Sequence, residues 1–157
     1  GFRVGWMVLS GPKYHVKDYI EGLNMLSNMR LCSNVLSQHV VQTSLGGYQS
    51  VDELLLPGGR IYEQRNFIYK AINEIPGLSA TKPKAGLFPK IDREMYRVDD
   101  DEQFVLDFLK QEKILLVHGR GFNWKDPDHF RIVYLPRVDE LAQIQEKMTR
   151  FLRQYRR

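Results

Sequence analysis

The sequence predicts an α+β fold from about residue 77 onward, preceded by a mostly helical first half with a single strand. In the first half, apolar residues recur at helical spacing between glycine and proline breaks, whereas the segments after residue 77 are short and mixed. Apolar residues make up 43% of the 157 positions and charged residues 27%, which is typical of a folded globular chain.

Four elements are expected in the first half. Residues 2–9 form an apolar run that predicts a buried strand, and because nothing precedes it to cover it, we expect a cut from a longer protein. A first helix follows, a second covers residues 36–45, and the third is long and ends at residues 76–77. The apolar stripe of the first helix is formed by Val16, Ile20, Leu23 and Leu26. That of the third helix is formed by Ile61, Ile68, Ile72 and Ile75.

Shorter elements are expected in the second half. Residues 78–91 predict a strand interrupted by two prolines and a glycine, and residues 114–117 and 130–135 predict two more short strands. Three aspartates at residues 99–101 favour a helix start, because acids are stabilised at a helix N-terminus. A final amphipathic helix carries the apolar residues Leu141, Ile144, Met148, Phe151, Leu152 and Tyr155.

The charge pattern bears on whether nucleic acid is a partner. The net charge is +4 and the isoelectric point is near 9.2, but the basic residues are interleaved with 19 acids. The one basic cluster is the tail, with Arg150, Arg153, Arg156 and Arg157. Because cations are stabilised at a helix C-terminus, we interpret the tail as a solvated helix end and expect no nucleic-acid partner.

Simple counts argue against other classes of function. Cys32 is the only cysteine, so no intrachain disulfide can form; we expect a cytoplasmic protein in which Cys32 is a buried apolar residue. No apolar run approaches the roughly 20 residues that cross a bilayer, so no membrane partner is expected. The histidines lack the spacing of metal ligands, and we expect no metal site.

Two arginines stand out because each lies within an apolar strand pattern. Strand alternation puts Arg131 on one face with Val133 and Leu135. A guanidinium on an apolar face is costly unless it meets an anion, and its planar fork suits a carboxylate. A structural ion pair or an edge strand explains the same pattern. Arg3 has the same alternatives: a ligand site, with room left by Gly5, or a charge at the start of a strand.

Three stretches of sequence carry a family resemblance. They are Gly-Phe-Arg-Val-Gly-Trp at residues 1–6, Gly-Gly-Tyr-Gln-Ser at 46–50 with Pro-Gly-Gly-Arg-Ile-Tyr-Glu-Gln-Arg-Asn at 57–66, and Phe-Asn-Trp at 122–124 with His-Phe-Arg-Ile-Val-Tyr-Leu-Pro at 129–136. These stretches resemble the fold-type I pyridoxal-phosphate-dependent aminotransferases of class I/II. The second stretch is what points to the bacterial alanine-aminotransferase-like branch.

The resemblance implies a cofactor and a binding site. Arg3 would bind the phosphate of pyridoxal phosphate, and Arg131 would bind the α-carboxylate of the amino-acid substrate. The family's Schiff-base lysine lies upstream of Gly1, so no catalytic residue is assigned within the chain. The resemblance implies a cytoplasmic, homodimeric parent that transfers an amino group between an amino acid, alanine or glutamate, and a 2-oxo acid. It also implies that the piece alone is inactive.

The resemblance also implies two domains. Residues 1–60 would be a remnant of the large cofactor-binding domain, and residues 61–157 would be the interdomain helix and the small C-terminal domain, with α/β/α-type layers. Only the second part is expected to have its own core, and apolar surface exposed on the first part would favour self-association. The strand at residues 84–88 is shorter than is usual in the family, which leaves the side-chain specificity open.

Two alternatives from other functional classes stay open. One is an aminotransferase-like domain that senses a ligand within a transcriptional regulator, which a helix-turn-helix upstream would favour. The other is a basic nucleic-acid-binding module, whose affinity would fall steeply with salt and in which Arg131 would have no special role. Aminotransferases that prefer aromatic or acidic amino acids are a further alternative within the same family.

Overall fold

Helices dominate the structure, which is a computed structural model that describes residues 3–156. The helices are α1 (Lys17–Asn28), α2 (Val35–Gly46), α3 (Ser50–Leu55), α4 (Arg60–Asn73), α5 (Asp101–Glu112) and α6 (Val138–Leu152). The strands are β1 (Leu78–Ser79), β2 (Lys90–Ile91), β3 (Val117–His118) and β4 (Phe130–Arg131). The α+β class predicted from the sequence is confirmed.

Contacts divide the chain into an N-terminal unit, Gly1–Ser50, and a C-terminal unit, Val51–Arg157. The domain boundary predicted at residues 60 and 61 stays a prediction. In the N-terminal unit, α1 and α2 form where helices were predicted. The side chain of Asn34 caps α2 by accepting a hydrogen bond from the backbone N–H of Ser37 at 3.2 Å.

The strand predicted over residues 2–9 is wrong for its described part. Residues 3–10 are irregular and exposed, and Phe2 lies outside the described residues. A strand forms only where a neighbouring strand accepts and donates its backbone hydrogen bonds. No described residue pairs with this segment, so its apolar composition alone does not produce a strand.

The C-terminal unit has a continuous hydrophobic core. Helices α4, α5 and α6 each turn an apolar stripe inward, and aromatic rings meet at its centre, where Phe151 contacts Phe104 and Phe108 edge to face at 5.4 and 5.0 Å. The fully buried large side chains include Ile68 and Ile72 of α4, Phe104 and Phe108 of α5, and Leu141, Met148 and Phe151 of α6. Helix α6 thus buries the stripe that the sequence predicts.

Two small antiparallel sheets lie against this core. Strand β1 pairs with β2, and β3 pairs with β4, with Val117 opposite Arg131 and His118 opposite Phe130. Single bridges also join Leu87 to Ile132 and Lys90 to His129. The strands are shorter than predicted. Two prolines in the 78–91 segment lack the backbone donor that a ladder needs.

Candidate functional site

Arg131 lies at the end of β4, on the side of the strand that faces away from the core. Its neighbours Phe130 and Ile132 are buried, whereas Val133 and Leu135 are about half exposed, at 50% and 54%. Arg131 thus shares a face with the apolar residues Val133 and Leu135, as the sequence predicts, and this face is partly exposed. Phe130 and Ile132 pack into the core instead, because only one face of so short a sheet packs on the helices.

In the described part of the chain, the guanidinium of Arg131 has no acidic partner. Its Nε atom is shielded from solvent and has no hydrogen-bond partner, and no carboxylate pairs with Arg131 among residues 3–156. Its Cζ atom lies 5.3 Å from the centre of the Phe122 ring. The structural ion pair weighed from the sequence is thus not found in the described part of the chain. An unsatisfied buried donor is unfavourable, so this arginine is not placed here by an internal hydrogen bond of Nε.

Arg120 shows what a structural arginine looks like in the same unit. Its Nε atom donates to Oδ1 of the buried Asp101 at 2.6 Å, its backbone N–H donates to Oδ2 at 2.8 Å, and its Nη2 atom donates to Asp100 at 2.6 Å. Burial raises the pKa of Asp101, but the hydrogen bonds and charge of Arg120 together lower this pKa below its usual value. The sequence shows three aspartates at a helix start and does not show this pair.

Arg150, the first arginine of the tail, is also paired with an acid. Arg150 binds the buried carboxylate of Glu112 through Nε and Nη2, and this hydrogen bond raises the pKa of Arg150. Helix α6 ends at Leu152 and continues as a 3-10 turn, Arg153–Tyr155. Arg157 lies outside the described residues. The interpretation of the tail as a helix end fits these contacts.

Arg3 lies in the N-terminal unit at a shallow cavity of about 370 Å³. The cavity is lined by Arg3, Val4, Gly5, Arg30, Ser33 and Asn34, and Asn34 is the N-cap residue of α2. Two arginines beside the positive end of a helix form a set of groups that suits a phosphate dianion. The residues present therefore fit the phosphate of the implied cofactor, and the role of Arg3 stays a prediction.

Other candidates from the sequence have plainer roles. Cys32 is exposed in the loop between α1 and α2, so the prediction of a buried cysteine is wrong, since none of the helices described within residues 3–156 covers this residue. Asp128 is buried, binds Nδ1 of His129 at 2.5 Å and faces Nζ of Lys90 at 3.6 Å. The His129 ring stacks on Trp124 at 3.8 Å. These contacts hold the loop that enters β4.

Two features are absent from residues 3–156, and they concern metal ions and membranes. No group of three or more histidine, cysteine, aspartate or glutamate side chains within residues 3–156 is arranged to hold a metal ion. Over the same residues, no helix has both the length and the apolar character that crossing a membrane requires.

Known proteins resemble the chain over nearly its whole length. It is 60% identical over 157 residues to the glutamate-pyruvate aminotransferase AlaA of Escherichia coli strain K12, which covers 99% of the chain and 39% of that protein. It is 52% identical over 158 residues to an alanine aminotransferase of Mycobacterium bovis, which covers 99% of the chain and 37% of that protein. No family model matches the chain.

A solved structure agrees with these relatives. The crystal structure of an aminotransferase from Escherichia coli matches with a TM-score of 0.85 and 58% identity, over 97% of the chain and 38% of that protein. The chain thus spans about two fifths of the length of the curated relatives it matches. The resemblance noted in the three sequence stretches is confirmed.

Proposed function

Because the chain is homologous to a segment of the pyridoxal-phosphate-dependent aminotransferases, we propose that its parent protein is such an enzyme. The parent transfers an amino group between an amino acid, alanine or glutamate, and a 2-oxo acid. This choice of substrates follows the names of the relatives above. The parent is a cytoplasmic homodimer whose partners are these small molecules, not nucleic acid or a membrane.

One observation carries the proposal for this chain, namely that among residues 3–156 the guanidinium of Arg131 has no anionic partner and its shielded Nε atom is unbonded. Arg120 and Arg150, in the same unit, are both paired with buried acids. An arginine kept free of acids next to a packed strand is ready to accept a ligand carboxylate through two parallel hydrogen bonds.

Arg131 would act by orientation. Two hydrogen bonds to the α-carboxylate fix the plane of that group and so the direction of the Cα–H bond that must be broken. The strand pairing of Arg131 with Val117 keeps the backbone of this residue in place while its side chain binds. The arginine therefore selects molecules that carry a carboxylate on the reacting carbon.

Arg3 would hold the cofactor phosphate in the cavity of the N-terminal unit. A dianion there meets two guanidinium groups and the positive end of α2, so its charge is matched at the site of binding. Pyridoxal phosphate, when bound, supplies the electron sink that stabilises negative charge on the substrate's Cα atom. The chain's own contribution is to anchor this group and to orient the carboxylate.

The test uses the full-length parent loaded with pyridoxal phosphate. We expect Arg131→Gln to lower kcat/KM for alanine by about a hundredfold or more, since at least one charge-assisted hydrogen bond is lost. Arg93→Gln is the matched control, because Arg93 is an exposed arginine of the same unit outside the proposed site. An Arg131→Gln enzyme as active as the Arg93→Gln control would refute the role of Arg131.

A further inference from the structure

Within residues 3–156, the ring of Phe122 is the one aromatic face that lies close to the Arg131 guanidinium. The Cζ atom of Arg131 lies 5.3 Å from the ring centre, within the range in which an aromatic face attracts a cation. Phe122 is itself 42% exposed, so its position is not explained by burial in the core. The contact raises the question of why a half-exposed ring is held against this arginine.

Several contacts fix the 3-10 turn Gly119–Phe122, which ends in this ring. Arg120 of the turn is bonded to the buried Asp101. The backbone N–H of Gly119 donates to the carbonyl of His129 at 2.7 Å. A Cβ atom at Gly119 would lie 2.6 Å from that carbonyl oxygen, so only glycine permits this approach. The turn is thus tied to the strand that carries Arg131.

One ring packs directly on Phe122, and a second ring packs on that one. Phe88 meets it edge to face, with ring centres 5.2 Å apart and an interplanar angle of 83°, and Trp124 lies 6.4 Å from Phe88. We call Phe88, Phe122 and Trp124 the aromatic shelf. The edge-to-face contact with Phe88 favours one orientation of the Phe122 ring, so the shelf presents Phe122 to Arg131 in a defined position.

An aromatic partner differs from an acidic one in a way that matters for binding. A carboxylate would occupy the N–H donors of the guanidinium and would compete with any ligand carboxylate, as Asp101 does for Arg120. An aromatic face attracts the positive charge without taking up those donors as hydrogen bonds. The Arg131 side chain is then held in place while its N–H donors stay available for a ligand carboxylate.

We propose that Phe122 is a positioning residue that holds the Arg131 guanidinium ready to bind the carboxylate of the amino-acid substrate. This inference rests on the proposed function of Arg131. Phe122 acts through Arg131, and the loss of its ring weakens binding of carboxylates in general, whatever side chain they carry.

The test compares ring-less and ring-containing variants of the full-length, cofactor-loaded parent. Phe122→Leu should raise both the KM for alanine and the inhibition constant of propionate by about three- to thirtyfold, the range of a cation–π contact. The kcat should change little, because the contact acts on carboxylate binding before the chemical step. Phe122→Trp, which keeps an aromatic face, should stay within about threefold of the parent.

The outcomes separate this inference from the proposed function. If Arg131→Gln weakens propionate and Phe122→Leu does not, the role of Phe122 is overturned and that of Arg131 stands. If Arg131→Gln leaves propionate unaffected, the proposed function itself fails. Equal losses in Phe122→Leu and Phe122→Trp also overturn the inference, since the ring is then not the cause. Phe122→Met, a second ring-less variant, provides the same comparison if Phe122→Leu does not fold.

Discussion

The two units of the chain contain similar helices but differ sharply in what they bury. In the C-terminal unit, three helices and the short strands enclose a continuous core of aliphatic and aromatic side chains. In the described part of the N-terminal unit, the one buried residue is Ser37, a polar one, and Trp6, Met29 and Leu31 are 66%, 81% and 86% exposed. Local signals therefore produce helices in both units, whereas only one unit supplies its own core.

The difference shows that local sequence signals can form helices whose apolar side chains are not buried. Helices α1 and α2 have 12 residues each, a length at which isolated helices are only marginally stable in water. Their exposed apolar side chains gain nothing from the hydrophobic effect as they stand. We infer that the N-terminal unit relies on burial against other protein surface, as expected for part of a larger domain, and that self-association would satisfy the same need.

The largest expected effect is on amide hydrogen exchange of the 157-residue polypeptide at low concentration. Amides of α4, α5 and α6 should exchange at least about a thousandfold more slowly than those of α1 and α2, because opening them requires unfolding of the core. Exchange measured by mass spectrometry reports both units in one sample. Equal protection of α1 and α2 would contradict the comparison, unless light scattering shows that the chains have associated.

The next effect is a contrast between two large-to-small substitutions. Phe104→Ala, at the centre of the core, should lower the free energy of unfolding by about 3–5 kcal/mol. Trp6→Ala, at an exposed ring of the N-terminal unit, should change it by no more than about 0.5 kcal/mol. Urea unfolding followed by circular dichroism gives both values. A Trp6 effect as large as that of Phe104 would show that the N-terminal unit has a core of its own.

The smallest expected effect concerns the charge pair within the C-terminal unit. Asp101→Asn should lower the free energy of unfolding at neutral pH by about 1–3 kcal/mol, since a buried charge-assisted hydrogen bond is weakened. The folded-state pKa of Asp101 lies below its unfolded value, so the stabilisation is present above about pH 4 and is lost as the pH falls through the folded pKa. The gap between wild type and variant should therefore shrink below pH 4. A gap that is constant from pH 7 to pH 3 would exclude this origin.

Sequence reasoning predicted the elements whose signals are local. Helix α6 follows from its apolar stripe, and the start of α5 follows from Asp100, whose side chain accepts from the backbone N–H groups of Glu102 and Gln103. The strand expected at residues 2–9 failed because pairing depends on residues elsewhere, and apolar composition does not reveal a partner.

The candidate site was predicted less completely than the helices. Arg131 was identified from its pattern, but the side of the strand that faces the core depends on which helices pack there, and alternation alone does not decide it. The contact of Phe122 with Arg131 and the pair of Arg120 with Asp101 join residues that are far apart in the sequence or lie in irregular turns. No periodic signal marks such contacts.

The exposed position of Cys32 has a practical consequence. It is the sole thiol of the sequence and lies in the loop between α1 and α2 of the unit that lacks a core. A thiol-reactive dye would therefore label one defined position without any engineering. The fluorescence of that dye would report directly when other protein surface covers this loop, which makes the wild-type chain its own sensor of assembly.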